Sequence, residues 1–204
     1  MTKQTTKPIA LAITGASGAP YALRLLECLV QADRQVYLMV SKAAQVVMPM
    51  ETGLTIPSRV EEAERLLSER YGAAAGQIRV FGREQWTAPV ASGSNPPEAM
   101  VVCPCSTGTL SAIASGASNN LIERAADVVL KEQRKLILMV RETPYSPIHL
   151  ENMLKLSRLG VVIMPASPGF YNRPESVAEL VDFMVARVLS HLGIDNPLNR
   201  PWGG

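Results

Sequence analysis

Aromatic residues, histidines and cysteines are scarce in this 204-residue chain, and neither sign of charge dominates it. Aromatics make up 5%, with two histidines and three cysteines. Cys28, Cys103 and Cys105 are odd in number and lack framework spacing, which argues against a disulfide scaffold and for a reducing compartment. A formal net charge of +2 argues against a general nucleic-acid binder. No uncharged apolar stretch approaches the roughly 18 residues a spanning helix needs. The start, MTKQTTKPIALAITGA, lacks the apolar core and cleavage pattern of a signal peptide. The expectation is a cytoplasmic protein without a membrane span.

What is present is a packed core. Hydrophobic residues make up 47% of the chain and charged ones 19%, which suits one domain covering residues 1–204. Short β-rich apolar runs recur at Ile9–Thr14, Gln35–Val40, Ala99–Cys103, Lys135–Val140 and Val161–Met164. Runs of this kind suit strands covered on both faces. Between them the spacing predicts helices at Ala19–Ala32, Ala43–Glu51, Val60–Tyr71, Thr107–Ala114, Leu121–Glu132, Ile148–Leu159 and Ser176–Leu192. The alternation predicts a three-layer, doubly wound α/β/α domain with a mainly parallel sheet. Thr87–Pro97 is rich in Pro, Gly and Ser and reads as a surface loop, and Pro197 and Pro201 prevent the C-terminal segment from continuing a helix.

Ligands of open α/β sheets bind beyond the carboxyl ends of the strands. The residues after the first run are Gly15, Ala16 and Ser17, and after the second comes Ser41. After Ala99–Cys103 come Ser106, Thr107, Gly108 and Thr109, and after Lys135–Val140 come Arg141 and Glu142. Backbone N–H groups at a helix start, joined by hydroxyls, suit a phosphate. The Gly15 loop has no third glycine at dinucleotide spacing, and the second run ends in Val40-Ser41-Lys42 without the acid that would hold a ribose diol. A mononucleotide such as FMN fits better than NAD. Ser17 precedes a helix whose first turn carries Pro20, so its hydroxyl is placed for capping or for chemistry.

A second set is cationic. Arg124 and Lys131 are seven apart and share a helix face, Arg187 lies on the last helix, and Arg141 at a buried strand's end calls for an anionic partner. Such cations suit a second phosphate. Cys103 and Cys105 read as buried strand-end residues rather than metal ligands, and His149 and His191 as structural. Trp86, Tyr171 and Trp202 stand in or beside loops, where they would form an aromatic wall over a ligand.

The segments GASGAPYALRLLE, CSTGTLSAIASGASNNLIERAADVVLKE, LMVRETPYSPIHLENM and MPASPGFYNRP together resemble the UbiX flavin prenyltransferases, along nearly the whole chain. The resemblance implies a Rossmann-like, flavodoxin-like fold that binds FMN without a metal. It implies transfer of a dimethylallyl group from dimethylallyl phosphate to N5 and C6 of reduced FMN. The prenylated product would serve a UbiD-type decarboxylase in routes such as ubiquinone biosynthesis, and the enzyme would be a homo-oligomer, a dodecamer in this family. FMN would be held by Gly15, Ala16, Ser17, Ser41, Ser106, Thr107, Gly108, Thr109 and Arg141. The prenyl phosphate would meet Tyr171 and Arg187, with Arg124, Lys131 and Glu51 reaching across a protomer interface. Ser17 and Glu142 would handle protons, Trp86 and Trp202 would line the prenyl pocket, and the tail from 193 to 204 would close it.

Two alternatives are weighed beside this. An FMN-dependent cysteine decarboxylase of the related fold would carry a histidine on an early helix, and residues 19–51 contain none. A flavin carrier or storage protein would need no second phosphate site.

Overall fold

The computed structural model describes residues 7–198. Six strands form one sheet: β1 (Ile9–Ile13), β2 (Val36–Val40), β3 (Ile78–Phe81), β4 (Ala99–Cys105), β5 (Lys135–Val140) and β6 (Val162–Pro165). Their order is β3-β2-β1-β4-β5-β6, and every neighbouring pair runs parallel. The helices are α1 (Ala19–Gln31), α2 (Lys42–Thr52), α3 (Val60–Tyr71), α4 (Thr107–Ser115), α5 (Leu121–Lys131), α6 (Pro147–Arg158) and α7 (Val177–Leu192). This is the doubly wound α/β architecture expected from the alternation of apolar runs.

The strand order also corrects the sequence reading, because β3 was not among the expected strands. IRVF is four residues long and carries an outward Arg79, so it lacks the continuous apolar run that marked the others. It is an edge strand, and an edge needs less apolar surface than a centre. On its rim the Val80 N–H donates to the Glu64 carboxylate at 3.0 Å, which satisfies a backbone group that no further strand would cover.

Side-chain alternation along the strands divides the core in two. Ile9, Leu11 and Ile13 of β1 join Leu25 and Leu26 of α1 and Val185 and Val188 of α7 on one face. Ala10 and Ala12 point the other way, towards Leu110 of α4, Ala125 and Val129 of α5 and Leu156 of α6. The period of two, with both faces covered, explains why every residue of β1 is buried. Cys103 and Cys105 are fully buried, as expected, and Cys28 is buried as well. Burial pushes the Cys105 thiol up to about 12 and raises Cys103 as well, so neither supplies a thiolate at neutral pH.

β1 pairs with β2 on one side and β4 on the other, so the chain's path reverses there and a crevice opens at their carboxyl ends. Thr14 pins that crevice. Its hydroxyl donates to the Pro104 carbonyl at 2.8 Å and accepts from the Ser106 N–H at 2.8 Å, and its own N–H also donates to Pro104 O. Among the described residues it is the one buried polar side chain of the core, at 2% exposure. Thr14→Val keeps the shape and leaves the Pro104 carbonyl bonded to the Thr14 N–H, but it strands the Ser106 N–H. We expect it to cost about 2–3 kcal/mol, read as a lower urea midpoint at unchanged slope.

Candidate functional site

Two helix starts converge on the crevice. Ser41 caps α2 by accepting from the Ala44 N–H at 3.1 Å, and Ser106 caps α4 by accepting from the Thr109 N–H at 3.3 Å. The Ser106 hydroxyl also lies 3.0 Å from the Thr109 hydroxyl. Each cap leaves other N–H groups of the first turn aimed at the crevice, with the positive ends of two helix dipoles. Gly15, Ser41, Ser106, Gly108 and Thr109 all line one cleft of about 550 Å³. Two glycines shape it. A Cβ on Gly15 would lie 2.3 Å from the Ala43 Cβ, so only glycine lets the β1 loop approach α2. A Cβ on Gly108 would meet nothing within 4 Å and would instead project into open space at the α4 start.

Beyond the β1 loop, Gly18 sits at the start of α1 with φ of 127° and offers no side-chain cap. Glu51, in the last turn of α2, fills that role: its Oε2 accepts from the Gly18 N–H at 2.9 Å and the Ala19 N–H at 2.8 Å. The Ser17 hydroxyl also hydrogen-bonds to this carboxylate. Burial alone would raise the Glu51 pKa, but the bonds from Ser17, Gly18 and Ala19 and the charge of Arg141 bring it below its ordinary value. This settles the cap reading of Ser17, since the acceptor at the α1 start is Glu51. On its own chain the Glu51 carboxylate lies against the Ser17 loop.

Arg141 and Glu142 follow β5. Arg141 is exposed and makes no ion pair with a carboxylate among the described residues, and its charge helps to lower the Glu51 pKa. The Thr107 hydroxyl lies 3.5 Å from one Glu142 oxygen, which brings that carboxylate to the α4 start. The other Glu142 oxygen accepts from the Thr143 N–H at 3.0 Å.

The remaining expected residues stand apart from this cleft. Arg124 donates to the Ala91 carbonyl at 3.0 Å and to Asp127 at 2.7 Å. Lys131 pairs with Glu132 beside Gly93. Both therefore rest on the Thr87–Pro97 loop of their own chain. Arg187 is exposed and lines a cavity of about 250 Å³ at the β6 edge, with Ser167, Phe183 and His191. Tyr171 packs edge-on against Phe183, with ring centroids 5.6 Å apart, which brings it to the same rim. Trp86 is exposed in the turn after β3. Trp202 and the rest of the tail from 199 lie outside the described residues.

His149 is structural as expected, since its Nδ1 accepts from the Ser146 N–H and closes a capping box on α6. Sequence reasoning missed Thr14, Lys42 and Arg83. Lys42 and Arg83 line the cleft, and Arg83 follows β3, so overlooking the strand concealed its strand-end residue. A basic residue directly after a capping serine was the available signal for Lys42.

The Flavoprotein family model matches residues 1–189. The chain is 63% identical over 195 residues to the flavin prenyltransferase UbiX of Pseudomonas aeruginosa, covering 96% of this chain and 93% of that protein. Among solved structures, AnUbiX (PadA1) in complex with FMN and dimethylallyl pyrophosphate superposes with a TM-score of 0.86 at 39% identity, covering 98% of each chain. The dodecameric FMN-dependent UbiX-like decarboxylase from Escherichia coli O157:H7 superposes at 0.85 with 40% identity, over 97% of this chain and all of that one.

The Glu51 geometry has a pH signature. Its folded pKa lies below the ordinary value near 4.5, so its contribution to stability is complete above that value and is lost as pH falls through the lower folded one. Against Glu51→Gln, the wild type should keep a constant stability advantage near neutrality. That advantage should shrink as the pH drops below about 4.5, as read by urea unfolding at a series of pH values.

Proposed function

This chain belongs to the Flavoprotein family and, within it, to the UbiX flavin prenyltransferases, and from that premise we propose that it joins a dimethylallyl group to reduced FMN. The observation that carries the reading is the pairing of a hydroxyl- and glycine-lined cleft at the sheet's switch point with a proton-handling cluster beside it. The cleft fits a flavin mononucleotide. Two capped helix starts suit a phosphate dianion, Gly15 admits close backbone approach, and Gly108 leaves space where a side chain would intrude.

In this reading Gly15, Ala16, Ser17, Ser41, Ser106 to Thr109 and Arg141 hold the flavin. Bound reduced FMN supplies the nucleophilic N5 and C6 positions at which the prenyl group is joined. The protein's part is orientation, charge and proton control. Glu51 fixes the end of the Ser17 loop through the Gly18 and Ala19 N–H groups and keeps a carboxylate near the Ser17 hydroxyl. Glu142 is anchored at one oxygen by the Thr143 N–H, and its other oxygen, held only by a long bond from the Thr107 hydroxyl, exchanges a proton at the crevice.

Arginine and lysine side chains stabilise a departing allylic phosphate without a metal, because their charges are already in place. Arg187 supplies that charge at the β6 rim, with the Tyr171 hydroxyl as a hydrogen-bond donor, and Arg124 and Lys131 supply it from a second copy, since on their own chain they face the Thr87–Pro97 loop. Trp86 and Trp202 wall the prenyl group. An oligomer also suits the exposed apolar side chains Met50, Ile148, Leu150, Leu154 and Phe170. The substrate is dimethylallyl phosphate, the product goes to a UbiD-type decarboxylase, and the reaction takes place in the cytoplasm. Among the described residues no helix is long and apolar enough to cross a membrane.

Anaerobic incubation with reduced FMN and dimethylallyl phosphate should yield a flavin heavier by one prenyl group, detected by mass spectrometry, with or without a chelator. Intact FMN binding without adduct, with either the monophosphate or the pyrophosphate, defeats the reading. Ser17→Ala should retain FMN and lose adduct formation. Glu142→Gln should retain FMN and slow the reaction by about a hundredfold, the scale of a lost general acid or base.

A further inference from the structure

The flavin cleft carries charge of its own, and that charge is concentrated. Among the described residues lining it the only cations are Lys42 and Arg83, and the only acid is Glu123. Glu123 is already committed to the start of α5, with one oxygen accepting from the Asn119 N–H at 2.8 Å and the other from the Asn120 side chain at 2.7 Å. Lys42 makes no ion pair among the described residues. Arg83 has one, to the adjacent Glu84 at 3.0 Å, with both side chains well exposed. Such a pair is weak and readily exchanged for a better anion.

Backbone contacts fix where these two residues stand. Lys42 is the first residue of α2, directly after the Ser41 cap. The Arg83 carbonyl accepts from the Leu121 N–H at 2.8 Å, which ties the segment after β3 to the first residue of α5. Both residues also line an adjoining cavity of about 250 Å³ between α2, α3 and β3, so they form the ridge between the two hollows. Arg141, the cation expected at the flavin, is not among the described residues that line this cleft. The cleft therefore has a cationic end at Lys42 and Arg83, while the carboxylates of Glu51 and Glu142 lie beyond its lining.

We propose that Lys42 and Arg83 bind the terminal phosphate of the flavin and make the site select the mononucleotide over its dephosphorylated form. The inference rests on the flavin reading above and adds to it a direction for the ligand and two specificity residues. A phosphate monoester carries nearly two charges at neutral pH, which hydroxyls and helix starts solvate but do not neutralise; two flanking cations do. Riboflavin presents no such charge and gains nothing from them.

The test measures dissociation constants of FMN and riboflavin for the full-length protein, by flavin fluorescence, for wild type, Lys42→Ala, Arg83→Ala and the double variant. Wild type should prefer FMN. Each single substitution should weaken FMN about tenfold and the pair about a hundredfold, with riboflavin changed less than twofold. Raising the salt concentration should weaken FMN binding in the wild type and much less in the double variant. Lys42→Arg should restore discrimination. If the double variant discriminates as well as wild type, or loses both flavins equally with unchanged thermal unfolding, the assignment is wrong. Failure of the wild type to bind FMN at all would instead overturn the flavin reading and this inference with it.

Discussion

The crevice depends on a single hydroxyl at the carboxyl end of β1. Thr14 is buried where β1 and β4 part: its hydroxyl gives the Pro104 carbonyl a second donor and satisfies the Ser106 N–H that the diverging strands would otherwise leave unpaired. A parallel pair ends its ladder wherever its two chains turn into different helices, and the last backbone groups then need another partner. Threonine supplies one donor and one acceptor from one side chain in a space that excludes water. The position of the Ser106 cap, and through it the start of α4, follows from that contact. The Gly15 loop begins at the very next residue, so both walls of the flavin cleft are referred to the same atom.

A second constraint joins elements that are not neighbours in the sheet. α1 begins at a glycine that cannot cap it, and the missing acceptor comes from the far end of α2. Glu51 thereby ties the end of one helix to the beginning of another, and takes the Ser17 hydroxyl with it. A carboxylate at a helix start is favoured by the dipole and by the two N–H donors together. A residue that would be a solvated surface acid in a free helix becomes the element that orders the loop.

Charge is sorted along the carboxyl edge of the sheet. Lys42 and Arg83 stand at the β2 and β3 strand ends, whereas Glu51, Arg141 and Glu142 cluster around the β1 and β5 ends. The flavin can then lie with its phosphate towards the edge at β3 and its ring towards the carboxylates, where protons must move. Arg187 and Tyr171 occupy the opposite edge, at β6. That separation keeps the cations proposed for the leaving phosphate apart from those proposed for the flavin phosphate, so neither anion competes for the other's site.

Much of this was legible in local chemistry. The apolar runs of β1, β2, β4 and β5 are long enough to announce buried parallel strands, and the serines at 41 and 106 act as the caps their positions suggest. The turn residue Gly15 was recognisable because the close approach of its loop to Ala43 requires glycine. The sequence by itself thus determined the kinds of element and the hydroxyl character of their ends, because propensity and capping act within a few residues. The tertiary structure alone decided that IRVF is a strand, that β1 lies between β2 and β4, that Glu51 serves the Ser17 loop of its own chain, and that Lys42 and Arg83 line the same cleft. Those outcomes depend on pairing between segments tens of residues apart, where burial and backbone hydrogen bonding decide and no local pattern carries the information.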